Sequence, residues 1–89
     1  MCYTENIIIP CEVNGRMVHA LVYFMQGLES SAYLTVGERT VNAKSIIGVL
    51  SLGLSKGSEV MITISGDDKD KGEGELLKAI RYVRGLGEG

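Results

Sequence analysis

The amino-acid sequence predicts an α+β fold in which helices cover one face of a four-stranded antiparallel sheet. Three observations predict it. Two segments alternate apolar and polar residues with the period of a half-buried strand, at Ala32, Leu34 and Val36 and again at Val60, Ile62 and Ile64. Two others carry apolar residues at helical spacing: Val18, Leu21, Val22 and Met25, then Leu76, Leu77, Ile80 and Val83. Taken in order, the segments read strand, helix, strand, strand, short helix, strand, helix. The 89 residues hold one such domain, residues 1–89, with a modest core.

The first strand is Tyr3 to Ile9, whose run Ile7-Ile8-Ile9 is stopped by Pro10, a residue with no N–H for a ladder. The stripe from Val18 to Met25 predicts a helix closed by Gly27, with His19 and Tyr23 beside the stripe. Read locally, Asn14-Gly15 between two apolar stretches is also a type I′ hairpin signal, and these residues alone leave the two readings open. Residues 32–36 form the second strand, and Gly37-Glu38 turns the chain into a short partner, Arg39-Thr40-Val41. Ser45 then has the chemistry of an N-cap, its hydroxyl accepting from the free N–H groups of a short helix over Ile46 to Leu52. Val60, Ile62 and Ile64 mark the fourth strand, ended by Gly66, and the run Asp67 to Lys71 reads as a solvated helix entry. The last helix has acidic residues ahead of it and Arg81 and Arg84 late, matching its dipole at both ends, while Gly72 and Gly74 blur its first turn.

Composition narrows the function. The chain is 45% hydrophobic and 22% charged, with net charge −2 and pI near 5.3. Such a surface argues against nucleic acid and anionic membrane and for protein partners. No basic leader precedes an apolar run and no window approaches a membrane span, so a cytoplasmic location is expected. Cys2 and Cys11 lack C-x-x-C spacing, and His19 is the single histidine, so no metal site, cofactor or disulfide is expected. No carboxylate pair, triad or phosphate loop of credible spacing points to an enzyme; Gly72-Glu73-Gly74 lacks the strand-loop-helix context of a nucleotide site.

Residues 41 to 66 carry most of the functional signal: Val41-Asn-Ala-Lys-Ser45-Ile-Ile-Gly48-Val-Leu-Ser-Leu-Gly53, running into Gly57-Ser-Glu-Val-Met-Ile-Thr-Ile-Ser-Gly66. They resemble the regulatory-serine segment of the bacterial phosphocarrier HPr and its relatives. The resemblance implies an open-faced sandwich in the element order already derived. It also implies that Ser45 is the target of an ATP-dependent HPr kinase/phosphorylase, and that the phosphoserine form acts as corepressor for a LacI-type regulator, catabolite control protein A. The surface so implied joins Ser45, Ile46, Ile47 and Leu50 with Arg16. The chemistry agrees, because a phosphate at a helix N-terminus gains roughly 0.3 to 1 kcal/mol from the dipole. It would leave the fold intact and create an anion flanked by Lys44 and apolar side chains, suited to a partner bearing arginine or lysine.

By the family's spacing, counted back from Ser45, the place of the phosphocarrier histidine is held by Asn14, in the context Asn14-Gly15-Arg16-Met17. An amide cannot carry phosphate, and the family's His-x-Arg-Pro pattern keeps only its arginine here. The resemblance is therefore to Crh, the catabolite-repression relative that lacks this histidine, within the sugar-transporting phosphotransferase system. His19 lies about one turn into its helix, where few free N–H groups remain to neutralise a phosphate, which disfavours it as a substitute carrier. Two alternatives follow: a phosphate-independent module that binds Enzyme I or a regulator through Arg16 and the apolar patch, and a carrier using His19. An exposed first strand beside an Asn14-Gly15 loop would also allow a strand-exchanged homodimer.

Overall fold

The computed structural model describes residues 1–86. Seven elements follow the predicted order: β1 (Cys2–Ile8), α1 (Gly15–Gln26), β2 (Ser31–Val36), β3 (Arg39–Asn42), α2 (Ile46–Leu50), β4 (Glu59–Ser65) and α3 (Lys69–Gly85). The strands form one antiparallel sheet in the order β1-β4-β2-β3. The helices lie on one face, so the architecture is the open-faced α+β sandwich.

Alternation decides the faces. Ile7, Ala32, Leu34, Val60, Ile62 and Ile64 point into the helical layer and are buried. The helices meet them with Val18, Leu21, Val22 and Met25 from α1, Val49 from α2, and Ala79, Ile80 and Val83 from α3. Met25, Ile62 and Ile64 are wholly buried and sit in this one core cluster. Opposite them, Thr4, Thr63 and Tyr33 stand in register across three strands on the uncovered face.

The β2–β3 turn places Gly37 at φ 61, the left-handed conformation that a glycine-first hairpin turn asks for. Gly72 answers a different need. A Cβ there would lie 2.7 Å from the Tyr3 ring, so the glycine that blurred the start of the last helix lets α3 close onto β1.

Three local expectations change and one open alternative closes. β1 ends one residue earlier than predicted, although Ile9 still exchanges backbone bonds of 2.9 Å with Ser58 and Gly57. No hairpin forms at Asn14-Gly15: a type I′ turn needs positive φ at both positions, and Asn14 has φ −107 as the cap of α1. Helix α2 is shorter than the predicted Ile46 to Leu52, because Leu52 and Gly53 turn back on Val49 and Leu50 with three-residue bonds. Leu77 is 47% exposed, since the inward face of α3 runs through Gly72, Glu75, Ala79, Ile80 and Val83 and leaves Leu77 on the other side.

Candidate functional site

Ser45 is placed by a short turn anchored at several points. Ala43 is fully buried and its N–H donates to the Ala32 carbonyl at 2.8 Å, extending the β2–β3 pairing. The Asn42 Oδ1 accepts from the Lys44 N–H at 2.8 Å, and the Ser45 N–H reaches the Asn42 carbonyl at 3.1 Å. Ser45, extended at φ −109 and ψ 119, then caps α2, its Oγ accepting from the Gly48 N–H at 3.2 Å. Gly48 keeps the approach open, because a Cβ there would press on Val41 at 3.3 Å and on the Ser45 Oγ at 3.4 Å.

The helix that follows is divided lengthwise. Val49 is buried and Ile46 packs partly against the core, whereas Ile47 is 81% and Leu50 49% exposed. The spacing of three within each pair is the helical repeat, so one stripe anchors α2 and the other faces outward. The C-terminal end of α2 is held by Arg39, whose guanidinium donates to the Ser51 carbonyl at 2.7 Å and to its Oγ at 3.0 Å.

Lys44, expected to flank a phosphate on the serine, also holds the turn in place. Its Nζ donates to the Leu28 carbonyl at 2.7 Å, and its own carbonyl accepts from Gln26 Nε2 at 3.0 Å, so it ties the Ser45 turn to the end of α1. Behind it lies Glu75, a carboxylate only 7% exposed that accepts from the Glu29 N–H at 2.7 Å and the Ser30 N–H at 3.0 Å. Burial pushes this carboxyl up, but bonds from the Ser30 side chain and the two backbone N–H groups, with the Lys44 charge, outweigh it and hold Glu75 below the ordinary carboxylate range. Sequence reasoning missed Glu75, Gln26 and Arg39. Glu75 alone carried a signal, an acidic residue four before Ala79 and three after Gly72 on the inward helical face.

Asn14 sits at the other helix start. Its Oδ1 accepts from the Met17 N–H at 2.9 Å and its carbonyl from the Val18 N–H at 3.1 Å, leaving the N–H groups of Gly15 and Arg16 without intrahelical partners. Arg16 is exposed beside them. Because Gln26 at the far end of α1 reaches Lys44, the twelve residues of α1 separate this site from Ser45 by roughly 18 Å at 1.5 Å per residue. The structure therefore gathers Ser45, Ile47 and Leu50 on one ridge and leaves Asn14 and Arg16 at the opposite end of α1. His19, the fifth residue of α1, is exposed on the side that faces Tyr23 and Tyr82.

Among the described residues no group of His, Cys, Asp and Glu could hold a metal ion, and no helix is long and apolar enough to cross a membrane. Residues 4–81 match the family model of the PTS HPr component phosphorylation site. The chain is 31% identical over 83 residues to the phosphocarrier protein HPr of Lysinibacillus sphaericus, covering 93% of each. It is 37% identical over 57 residues to the HPr of Xylella fastidiosa, covering 64% of each. Among solved structures, HPr-C-His of Thermoanaerobacter tengcongensis has TM-score 0.82 at 26% identity, over 98% of this chain and 97% of that one. Crh, the Bacillus subtilis catabolite-repression protein described as a swapped-domain dimer, has TM-score 0.63 at 26% identity, over 85% and 87%. This chain belongs to the HPr family of the phosphotransferase system.

Proposed function

We propose that this chain is a regulatory member of its family, switched by phosphorylation of Ser45 and acting by binding other proteins in the cytoplasm. The observation that carries the reading is the chemistry at the two helix starts. A hydroxyl that can accept phosphate stands at α2 beside exposed Ile47 and Leu50, while an amide that cannot caps α1. A phosphoryl group on the Ser45 oxygen would lie near the Gly48 N–H already bonded to it and add close to two negative charges to an apolar ridge. The short helix adds little dipole, so the effect is a change of surface rather than of fold.

The kinase in this reading is an HPr kinase/phosphorylase. The reader is a LacI-type regulator with cationic side chains that spans from Ser45 across Ile47 and Leu50 toward Arg16, with Ile46 seating the ridge and Lys44 holding the turn. Crh supports this direction as a structural neighbour, by its association with catabolite repression.

The test is intact-mass analysis and site mapping after incubation with HPr kinase/phosphorylase and ATP, followed by regulator binding. Phosphate on Ser45 and tighter binding of Ser45→Asp support the switch. No phosphate under conditions that modify a standard HPr, with unchanged Ser45→Asp binding but a loss on Leu50→Ala, selects the phosphate-independent module, for which Enzyme I is a further candidate partner. The exposed Ile47 and Leu50 favour that module as the second reading. The edge position of β1 keeps strand exchange between two copies as a further proposal, with its hinge in residues 9–13 rather than at the capped Asn14; sedimentation of the purified chain decides it.

A further inference from the structure

The face of the helical layer between α1 and α3 is unlike the rest of the molecule. Phe24 and Tyr82 stack across it with ring centroids 4.5 Å apart and planes at 11°. With His19, Ala20, Tyr23 and Gly27 they line a shallow, mainly apolar groove. Tyr23 stands 80% exposed on its edge, and Leu77 is 47% exposed on the neighbouring helix. Phe24 and Tyr82 are partly buried against the core, whereas the exposed Tyr23 takes no part in it and is not explained by packing.

Charge is segregated in the same place. The whole chain has net charge −2, yet α1 contains no Asp or Glu, and neither does α3 from Leu76 onward. Those two stretches carry Arg16, Lys78, Arg81 and Arg84. Arg16 is one turn before His19 on the Tyr23 stripe, and Lys78 is one turn before Tyr82, so both border the groove by helical spacing. The acidic groups that share a hollow with Lys78 are already committed: Glu29 pairs with Lys71, and Glu75 is buried on backbone N–H groups.

We infer that the α1–α3 groove docks an acidic amphipathic helix of a partner protein, whose apolar residues cover Tyr23, Phe24 and Tyr82 while its carboxylates meet Arg16 and Lys78. Helix-in-groove recognition needs an apolar trough wide enough for side chains at successive turns, and an unbalanced rim selects the sign of the incoming helix. The acidic character of the chain as a whole works against the two other occupants of a basic, aromatic strip, anionic lipid and nucleic acid. The groove does not include Ser45, and it shares only Arg16 with the surface proposed above for the regulator.

The test uses the full 15N-labelled chain and a synthetic helical peptide with leucines at i, i+4 and i+7 and glutamates elsewhere. Backbone shifts are expected at His19, Ala20, Tyr23, Gly27, Lys78 and Tyr82. Tyr23→Ala and Lys78→Glu should each weaken binding by about tenfold, and both positions are exposed enough to leave the fold intact. Equal binding of the lysine counterpart peptide, shifts confined to Ile47 and Leu50, or no shift at all would overturn the inference. So would occupation of the groove by phosphatidylserine vesicles or a single-stranded oligonucleotide when the acidic peptide leaves it untouched.

Discussion

The starts of α1 and α2 are built alike and differ in chemistry. In each, an extended polar residue presents a side-chain oxygen to the N–H three residues on, Asn14 to Met17 at 2.9 Å and Ser45 to Gly48 at 3.2 Å. One oxygen belongs to an amide and the other to a hydroxyl. One helix runs twelve residues with a full buried stripe, and the other runs five with half of its apolar surface outside. Equivalent capping geometry therefore says nothing about function; the atom that caps, and what the helix leaves exposed, decide whether a cap can also be a switch.

The sharpest break of this comparison is Ser45→Ala, which should reduce phosphate transfer by an HPr kinase/phosphorylase from one group per chain to none, read by intact mass. Persisting label would move the acceptor elsewhere. Next in size, Asn14→His should make the α1 start an acceptor for phosphoenolpyruvate-dependent labelling through Enzyme I, because free N–H groups of Gly15 and Arg16 already favour an anion there. The unaltered chain should remain unlabelled in the same assay. Label on it that His19→Ala removes would instead make His19 the carrier.

Stability sharpens the comparison further. Asn14→Ala should cost about 1 kcal/mol, seen as a lower midpoint in urea, and Ser45→Ala about 0.5 kcal/mol, because the cap at α2 is longer and serves a shorter helix. A larger loss at Ser45 would mean that the serine is needed chiefly to hold the fold. The smallest effect concerns Glu75, whose folded pKa is depressed. Its contribution is fully present above the unfolded value of about 4.3 and is lost as pH falls through the lower folded value. Glu75→Gln should flatten the acid limb of a stability–pH curve, and an unchanged limb would show that the depressed carboxyl is not what links the loop before β2 to pH.

Much of this was legible in the chain. Alternation at Ala32–Val36 and Val60–Ile64 assigned the buried faces of two strands correctly, and Ser45 was recognisable as a cap from its position before an apolar run. Asn14-Gly15 was ambiguous, since a hairpin and a helix start use the same local residues. Where the Lys44 charge goes was not legible for a related reason: a lysine beside a serine in sequence says nothing of where four methylene groups carry its charge, and here they carry it to the Leu28 carbonyl.

The sequence by itself determined the order of elements, the inward residues of the strands, and the family to which residues 41 to 66 point, because side-chain period follows from covalent geometry wherever the chain runs. Only the tertiary structure decided that Asn14 caps a helix, that Leu77 faces away from the core, that Lys44 ties the serine's turn to the end of α1, and that Glu75 holds the loop before β2. The stacking of Phe24 on Tyr82 belongs to the same class. Each depends on residues distant in sequence meeting in space, and hydrogen-bond partners, burial and charge neighbours exist only after the layers have packed.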